Sequence, residues 1–534
     1  MQFSSNDPPR LRFLVAGPLS PRPTGRRSRL LLAELADRMA GAPLAIKVDV
    51  GPALGAAGPL HASVNLARFR DFSAAEVIGQ ALGELHRFKE RLIAPSGRPR
   101  PDDVLATIER ITGRGPLHAE VAQCFAPPPP KPADAGGGDL VDELLSRGPQ
   151  RSTASSAIDA LVRTSVRSTP AGAEAEPAKA AHARISAALA RAAAVILADP
   201  AAAAAARRWR ALRLFLGQCP KDHAIEVEAL DVGPDRLAPA LAELAELDPL
   251  ARPDAVFVID PVTSLETAGA LAEVGADLNA PIVIEVGAGL FGGENWWQVA
   301  RAIDDGKGPG EAWEALRKRE ESRWLTAVAN PPTLAAEATA AGERVVCGGA
   351  ALAVAGLLAG SFRDLGVFSR LGADAEMRAP ATWHSDQGQE DIALATAEWL
   401  SLDQQQVLGG QGIAALGGPR GGDIVALVAC PVAIAGEEGA VLPAQMLAGR
   451  TVRFALWARD FVPAGVSAEE GADLVMRAAA LLLLPGGRMP VRFGAKIERT
   501  EDGAELKVGA AFSAALAGAP VALSFGLPLR VGIE

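Results

Sequence analysis

The residues with the clearest chemical pattern are three glycines, Gly287, Gly289 and Gly292. They stand in PIVIEVGAGLFGGENWW, where an apolar run is followed by Gly-x-Gly-x-x-Gly and then by a helical pattern. In a nucleotide-binding βαβ unit, such glycines let the backbone approach a pyrophosphate, which binds at the helix N-terminus. The pattern therefore raises the hypothesis of a nucleotide-binding oxidoreductase that uses Gly287–Gly292.

The surroundings of these glycines favour a different interpretation. At least two strand–helix pairs precede them, whereas a dinucleotide fingerprint belongs to the first βαβ unit. About 20 residues further on, where an acidic residue should end a second strand, the chain reads DDGKGPGEAW (Asp304–Trp313). Glu294 stands where the next helix should start, and its charge would repel a pyrophosphate. We therefore predict a tight strand-to-helix turn here and no cofactor.

No other group of residues predicts catalysis or a metal site. The six histidines are scattered singly, and the sequence lacks a P-loop, a zinc-protease motif and a nucleophile elbow. His384, Ser385 and Asp386 are adjacent in TWHSDQGQED, and adjacent residues cannot converge unaided as a catalytic triad. The sequence thus predicts a protein that is not an enzyme. The cysteines lack C-x-x-C spacing and predict free, buried thiols rather than disulfides or zinc ligands: Cys124, Cys219, Cys347 and Cys430.

The bulk composition excludes several classes of partner. The 534 residues are 49% hydrophobic and 22% charged, which is typical of a globular protein with a sizeable core. A net charge of −10 predicts no nucleic-acid partner and no binding to an anionic membrane. The N-terminal residues show no signal-peptide pattern, and no uncharged apolar stretch reaches the roughly 18 residues that a membrane span needs. We expect a cytoplasmic protein.

The chain divides at a stretch rich in proline and glycine, FAPPPPKPADAGGGD (Phe125–Asp139). A break of this composition inside one core would be unusual, so it predicts a boundary between modules. We predict a small N-terminal module over residues 1–125, a linker over 126–178 and a larger module over 179–534. The linker contains DLVDELLSR, an amphipathic helix whose apolar face must be covered by its own fold or by a partner. That face consists of Leu140, Val141, Leu144 and Leu145.

Both modules are expected to be α/β. In the first, residues 61–68 alternate as a half-buried strand does, and Ser73 stands three residues before Glu76, which indicates a capped helix. In the second, continuous apolar strands alternate with helices, which predicts a mostly parallel sheet covered on both faces. The last 45 residues or so change character and predict strands joined at Asp502-Gly503, a hairpin signal.

A resemblance to a known family begins around Trp209, Arg210 and Leu212. DPAAAAAARRWRALRLFLGQCPKDHAIEVEALDV resembles the large subunit of the contractile sheath of type VI secretion systems, in which a similar helix leads into the first strand of the sheet. APIVIEVGAGLFG, WEALRKREESRWLTAVANPP and RVVCGGAALAVAGLLAGSFRDLGVF resemble later stretches of that family, in the same order. RTVRFALWARDFVPAG resembles a further family stretch, and the matching positions are Arg450, Phe454, Arg459, Asp460 and Gly465.

The N-terminal module resembles the small subunit of the same sheath. VNLARFRDFSAAEVIGQALGELHRFKERL matches that family's strand, turn and helix at Asp71, Phe72, Ser73, Arg91 and Leu92. DLVDELLSR resembles the short helix of the large subunit that the disassembly ATPase, an AAA+ protein, binds. The chain thus resembles the two subunits fused through a linker. It departs from the family where NPPTLAAEATAAGERV and FSAALAGAPVALSFG stand, because two family motifs are missing there.

This resemblance implies a structural subunit that polymerises around an inner tube by inter-subunit strand exchange. The implied partners are further copies of the chain, the inner-tube protein, the AAA+ ATPase and a baseplate. Two segments could be exchanged, although an internal edge strand would show the same alternation. The alternative functions are a non-contractile baseplate or cap relative, or the oxidoreductase considered above. The candidate residues of the exchanged strands are Phe13 and Val15 near the start, and Val521, Leu523 and Phe525 near the end.

Overall fold

The computed structural model describes residues 10–94, 99–126, 175–222, 224–340, 342–368, 371, 376–385, 392–437, 440–485, 490, 492–500 and 503–530. The strands are β1 (Leu11–Gly17), β2 (Arg27–Arg29), β3 (Leu44–Asp49), β4 (His61–Leu66), β5 (Ile225–Asp231), β6 (Ala255–Val258), β7 (Ile282–Glu285), β8 (Leu325–Ala329), β9 (Thr333–Thr339), β10 (Gly342–Cys347), β11 (Glu376–Arg378), β12 (Trp383–Ser385), β13 (Ile392–Leu394), β14 (Ile413–Gly417), β15 (Ile424–Leu427), β16 (Arg492–Thr500), β17 (Gly503–Phe512) and β18 (Val521–Pro528).

The helices are α1 (Leu35–Gly41), α2 (Gly51–Leu54), α3 (Ala74–Ala81), α4 (Gly83–Leu92), α5 (Pro101–Thr112), α6 (Pro116–Phe125), α7 (Ala175–Ala198), α8 (Pro200–Leu216), α9 (Leu237–Ala242), α10 (Leu265–Leu278), α11 (Trp296–Asp304), α12 (Glu311–Arg317), α13 (Ala350–Leu365), α14 (Leu402–Gly410), α15 (Leu442–Phe461), α16 (Ala468–Leu482) and α17 (Ala514–Ala517). The mixture of helices and strands confirms the α/β class.

A nine-stranded sheet forms the centre of the fold, in the order β11-β15-β14-β8-β7-β6-β1-β5-β2. Neighbouring strands from β14 to β5 are parallel, and the outer pairs are antiparallel. Every residue of β6, β7 and β8 is buried, because helices cover both faces of the sheet. The continuous apolar runs in the sequence reflect this two-sided burial, and the predicted mostly parallel sheet is confirmed.

The two faces of the sheet contribute to separate cores. Alternate residues of a strand point to opposite faces, so Phe13 packs in one core and Leu14 in the other. On the first face the rings of Phe13, Phe215 and Phe257 lie 5.3–6.4 Å apart and join β1, α8 and β6. Helices α9 to α12 cover the second face.

Strand β1 connects the N-terminal segment to this central sheet. It lies between β5 and β6, where Phe13 faces Val227 on one side and Ala255 on the other. Phe13 and Val15 are at most 1% exposed. In this structure they lie in the chain's own sheet, and whether this strand is shared with a neighbouring subunit stays a prediction. Residues from both sides of the predicted linker share this one sheet.

The rest of the N-terminal segment packs against the second segment. Strands β3 and β4 form an antiparallel pair, and the Ser73 hydroxyl accepts a hydrogen bond from the Glu76 N–H, which caps α3 as predicted. The expected single helix after Ser73 is divided into α3 and α4 at Leu82, which leaves the helical conformation. From the β9–β10 hairpin, Glu337 accepts a hydrogen bond from the Ala74 N–H at 3.0 Å, so the second segment also holds the start of α3.

The alanine-rich helices α7 and α8 meet at a sharp turn. The Asp199 side chain caps α8, and Pro200 occupies the first helical position, where proline is favoured. Among the described residues, α7 is one helix that is long and apolar enough to cross a membrane, over Glu176–Ala198. Half of that apolar window is buried inside the protein, against α2, α3, α4 and α6. Such burial is typical of a core helix.

Candidate assembly interface

The C-terminal strands form a separate antiparallel sheet in the order β16-β17-β18. The β16–β17 pair closes with Thr500 opposite Gly503, next to the predicted hairpin turn. Apolar and polar residues alternate along β17, so that Leu506 and Val508 are fully buried on one face. Period-two alternation is the signature of a sheet with one covered and one open face.

Helices α15 and α16 cover the apolar face of this sheet. The ring of Phe454 in α15 lies 5.9 Å from that of Phe493 in β16 and 5.8 Å from that of Trp457. Ile497 of β16 packs closely on Gly471 of α16, where a Cβ atom would approach to 2.6 Å. The sheet is therefore fixed on a rigid helical support and keeps its strand edges in place.

The predicted residues of the last strand lie in β18. Val521, Leu523 and Phe525 share the half-buried face and pack against the core, as their spacing indicated. The residues between them, Ala522 and Ser524, are exposed. Whether this strand is shared with a neighbouring subunit stays a prediction.

The outer edge of β18 is available for a further strand. The Leu529 N–H donates to the Ala504 carbonyl at 2.8 Å, and the direction of the backbone groups alternates along a strand. The N–H and C=O groups of Ala522, Ser524 and Gly526 therefore point away from β17. No described strand pairs with this edge, or with the outer edge of β16. Such unpaired groups are a template for β-augmentation.

The open face of the sheet carries a short charged ladder. Glu498 of β16 accepts hydrogen bonds from Lys496 and Lys507, and these bonds lower the pKa of Glu498 to about 2. Lys496 and Lys507 lie directly opposite each other on neighbouring strands. The carboxylate between them offsets the repulsion of two like charges in a cross-strand pair. The charges of the open face are thus concentrated on β16 and β17.

A buried ion cluster holds α15 against the large sheet. Asp254, just before β6, is 1% exposed and accepts hydrogen bonds from Arg450 at 2.7 Å, from Arg453, and from the Arg12 N–H at 2.8 Å. Burial alone would raise the pKa of Asp254, but the two guanidinium groups hold it below its usual value. Burial lowers the pKa of Arg453 to about 10, although the negative charge of Asp254 acts to raise it. The cluster fixes the helix that supports the C-terminal sheet.

Sequence reasoning found only part of this cluster. Arg450 was singled out by its resemblance to the sheath family, whereas Asp254 and Arg453 were not. A charged residue before a fully apolar strand, as in Asp254-Ala-Val-Phe-Val, is the signal that could have indicated a buried pair, because such residues are rarely buried unless paired.

The glycine segment forms a turn between β7 and α11. A 3₁₀ turn spans Ala288–Phe291, Gly292 adopts a left-handed conformation with φ of +76°, and the next helix begins only at Trp296. The Trp296 N–H donates to the Glu398 carboxylate at 2.8 Å, and the Asn295 side chain caps the helix. The Trp296 N–H at the start of this helix is thus already paired with a carboxylate of this chain.

The structure describes some of the remaining sequence-based candidates. All four cysteines are free thiols. Burial raises the pKa of Cys219 and of Cys430 to about 12, and of Cys347 to about 11, so these thiols stay protonated at neutral pH. Within the described ranges no group of three or more residues could hold a metal ion. The candidate ATPase-binding residues Leu140, Val141, Leu144 and Leu145 lie outside the described residues.

Comparisons with known proteins give little guidance. No family model matches the chain, and no curated protein matches it. Among solved structures, the chain is similar to one in the cryo-EM structure of the anti-feeding prophage (AFP) baseplate, 6-fold symmetrised. The TM-score is 0.35 and the identity 14%, over 58% of this chain and 76% of that chain. A likeness this distant carries no argument for function.

Proposed function

We propose that this chain is a structural subunit of a contractile, type VI secretion-like sheath. In this proposal it polymerises around an inner tube by inter-subunit strand exchange, in the cytoplasm. The resemblance of both segments to sheath subunits supports the proposal.

The open edge of β18 is the observation that carries the proposal. The strand is fixed through its apolar face to α15, while Ala522, Ser524 and Gly526 direct their backbone groups outwards. A strand from a second copy could pair there without any rearrangement of the fold, and its backbone hydrogen bonds would give strength while alternating side chains set the register. An unpaired edge of this kind promotes unwanted association of a monomer, but it is the surface through which subunits of a polymer can pair.

Electron microscopy of the purified chain tests this proposal directly. We expect negative-stain images, recorded with and without the inner-tube protein, to show tubes or rings. Discrete particles of fixed size would favour the baseplate or cap alternative. A monodisperse monomer at high concentration, with the inner-tube protein present, would refute assembly altogether.

The role of β18 is tested by substituting Ser524 with proline. The Ser524 N–H points away from β17, so Ser524→Pro removes an outward donor without breaking a bond inside the sheet. We expect the variant to melt within a few degrees of the parent but to form no tubes, whereas the Ser524→Ala control should form them. Normal tubes from Ser524→Pro would show that assembly does not use this edge.

The disassembly ATPase is the remaining implied partner. We propose that it binds the helix predicted around Leu144. Leu144→Asp should abolish its binding in a pull-down and leave assembly unchanged, because the substitution places a charge on the apolar face that the partner would cover. Unchanged binding of the ATPase would remove this role from the helix.

A further inference from the structure

A basic loop stands at the end of the large sheet next to β5. The chain leaves β1 at Gly17, forms a loop over residues 18–26 and returns as β2. Arg22, Arg26 and Arg29 are exposed in this segment, and none of them forms an ion pair with a described carboxylate. These guanidinium groups, two on the loop and one on β2, have no ion-pair partner among the described residues and form a surface that favours an acidic partner.

A single carboxylate holds this loop in shape. Asp231, at the end of β5, accepts hydrogen bonds from the Leu19 N–H at 2.8 Å, the Ser20 hydroxyl at 2.7 Å and the Thr24 N–H at 3.1 Å. The backbone of Asp231 also pairs with Gly25 and Arg26. The loop is therefore preorganised, so that a partner would not have to order it on binding.

An apolar groove of about 440 Å³ lies beside the loop. Its lining includes Pro21 and Pro23 of the loop, together with Ala201, Ala204 and Leu44. Arg208 in this lining is already paired with Asp260 at 2.6 Å and so adds no free charge. The groove places apolar contact area next to the exposed arginines of the loop. Apolar surface combined with arginine is typical of the residues that contribute most to a protein interface.

The charge of this segment is opposite to that of the rest of the chain. Residues 18–38 contain five arginines and two acidic residues, 5 − 2 = +3, in a chain of net charge −10, so the remainder carries −10 − 3 = −13. Two copies of such a molecule attract each other when the basic loop of one faces the acidic body of the other. Two basic loops repel, which disfavours a contact that joins loop to loop.

We propose that the basic loop and its groove dock on the acidic body of a second copy, in a head-to-tail contact. A heterologous contact of this kind generates an open polymer or a ring, depending on whether the rotation closes. The proposal rests on the proposed function, self-assembly, and adds the surface that gives the assembly its direction. It is separate from the β18 edge, which lies on a different sheet.

Two charge-matched double variants test this docking. Arg22→Glu/Arg26→Glu reverses the loop, and Arg87→Glu/Arg301→Glu reverses two exposed arginines on α4 and α11. Both variants have a net charge of −14 (−10 − 4), so they share any general repulsion. The substituted side chains are exposed, which leaves the core intact.

The readout is the concentration at which polymers appear, measured by sedimentation and light scattering at low and high salt. We expect the loop variant to need about tenfold more protein or to stay monomeric, since like charges placed together at an interface are costly. The control variant should differ from the parent by less than about twofold, because exposed charges and the exposed Arg301–Asp305 ion pair contribute little.

Each other outcome overturns a specific statement. If the parent chain does not assemble, the proposed function fails. If all three proteins assemble equally, or if both variants fail equally, assembly stands and the docking inference is wrong. If nuclease treatment dissolves the polymers, the loop binds nucleic acid rather than a second copy.

Discussion

Replacing Asp254 with asparagine should destabilise the protein more than any surface charge substitution. Asparagine keeps the size of the side chain and an acceptor for the Arg12 N–H, but it removes the negative charge that faces Arg450 and Arg453. Both guanidinium groups then remain buried without a counterion. Removal of one partner from a buried ion pair costs about 3–5 kcal/mol.

The surroundings of the cluster place the expected cost near the lower end of that range. Arg450 also donates to the Leu482 carbonyl, and Arg453 to the Asn279 carbonyl, at the C-terminal ends of α16 and α10. The negative ends of these helix dipoles partly compensate the remaining positive charges. We expect the free energy of unfolding to fall by about 3 kcal/mol at neutral pH, a large part of the roughly 5–15 kcal/mol that stabilises most proteins.

The pH dependence gives an independent check. The folded pKa of Asp254 lies below its ordinary value, so its contribution to stability is fully present above an unfolded pKa of about 3.9 and is lost as the pH falls through the folded value. The stability difference between the parent and Asp254→Asn should therefore be constant from neutral pH to about pH 5 and should shrink in more acidic solution.

The assay is denaturant unfolding followed by tryptophan fluorescence, with Asp423→Asn as the control. Asp423 pairs with Arg378 on the surface, where the two side chains are 42% and 81% exposed. Breaking such a pair should cost no more than about 1 kcal/mol. Equal stability losses for Asp254→Asn and Asp423→Asn would show that the buried cluster does not stabilise the fold as described.

Three further predictions follow from the packing. Separate chains covering residues 1–126 and 175–534 should copurify when they are coexpressed. The second chain should be insoluble alone, because it lacks the strand between β5 and β6, and a soluble, folded 175–534 chain on gel filtration would contradict this. Gly449→Ala should lower the melting temperature by several degrees, since its Cβ would lie 2.1 Å from the Asn279 carbonyl oxygen; an unchanged melt would refute this close packing. Cys430, whose pKa burial raises to about 12, should react with Ellman's reagent only on unfolding; rapid labelling of the native protein would refute its burial.

Elements with a local signal could be predicted from the sequence. The apolar runs of β6 and β7 follow from their burial on both faces, and the Ser73 cap and the Pro200 turn follow from the chemistry of single residues. The break at Leu82 was missed, because the apolar spacing of 3.6 residues continues across it and resembles that of one unbroken helix.

Contacts between residues that are far apart in the sequence could not be predicted in the same way. β1 pairs with a strand more than 200 residues away, and Asp254 meets Arg450 across 196 residues. Nothing in the local spacing of these residues indicates the partner, because the pairing depends on the order of strands in the finished sheet. The candidate edge of β18 was foreseen only in part, since alternation predicts a half-buried strand but not whether another strand lies beside it.

The outer strands of the two largest sheets differ in length and in charge, which is why we expect β18 to be the strand used in the proposed assembly. The large sheet ends in β2 and β11, which have three residues each, and such short edges discourage pairing with other chains. β16 has nine residues, but Lys496 and Glu498 on its open face carry charges that oppose a second apolar sheet. β18 has eight residues, and the exposed residues Ala522, Ser524 and Gly526 are small and uncharged. In the proposed assembly, this eight-residue, uncharged edge is the one with which we expect a strand of a second copy to pair.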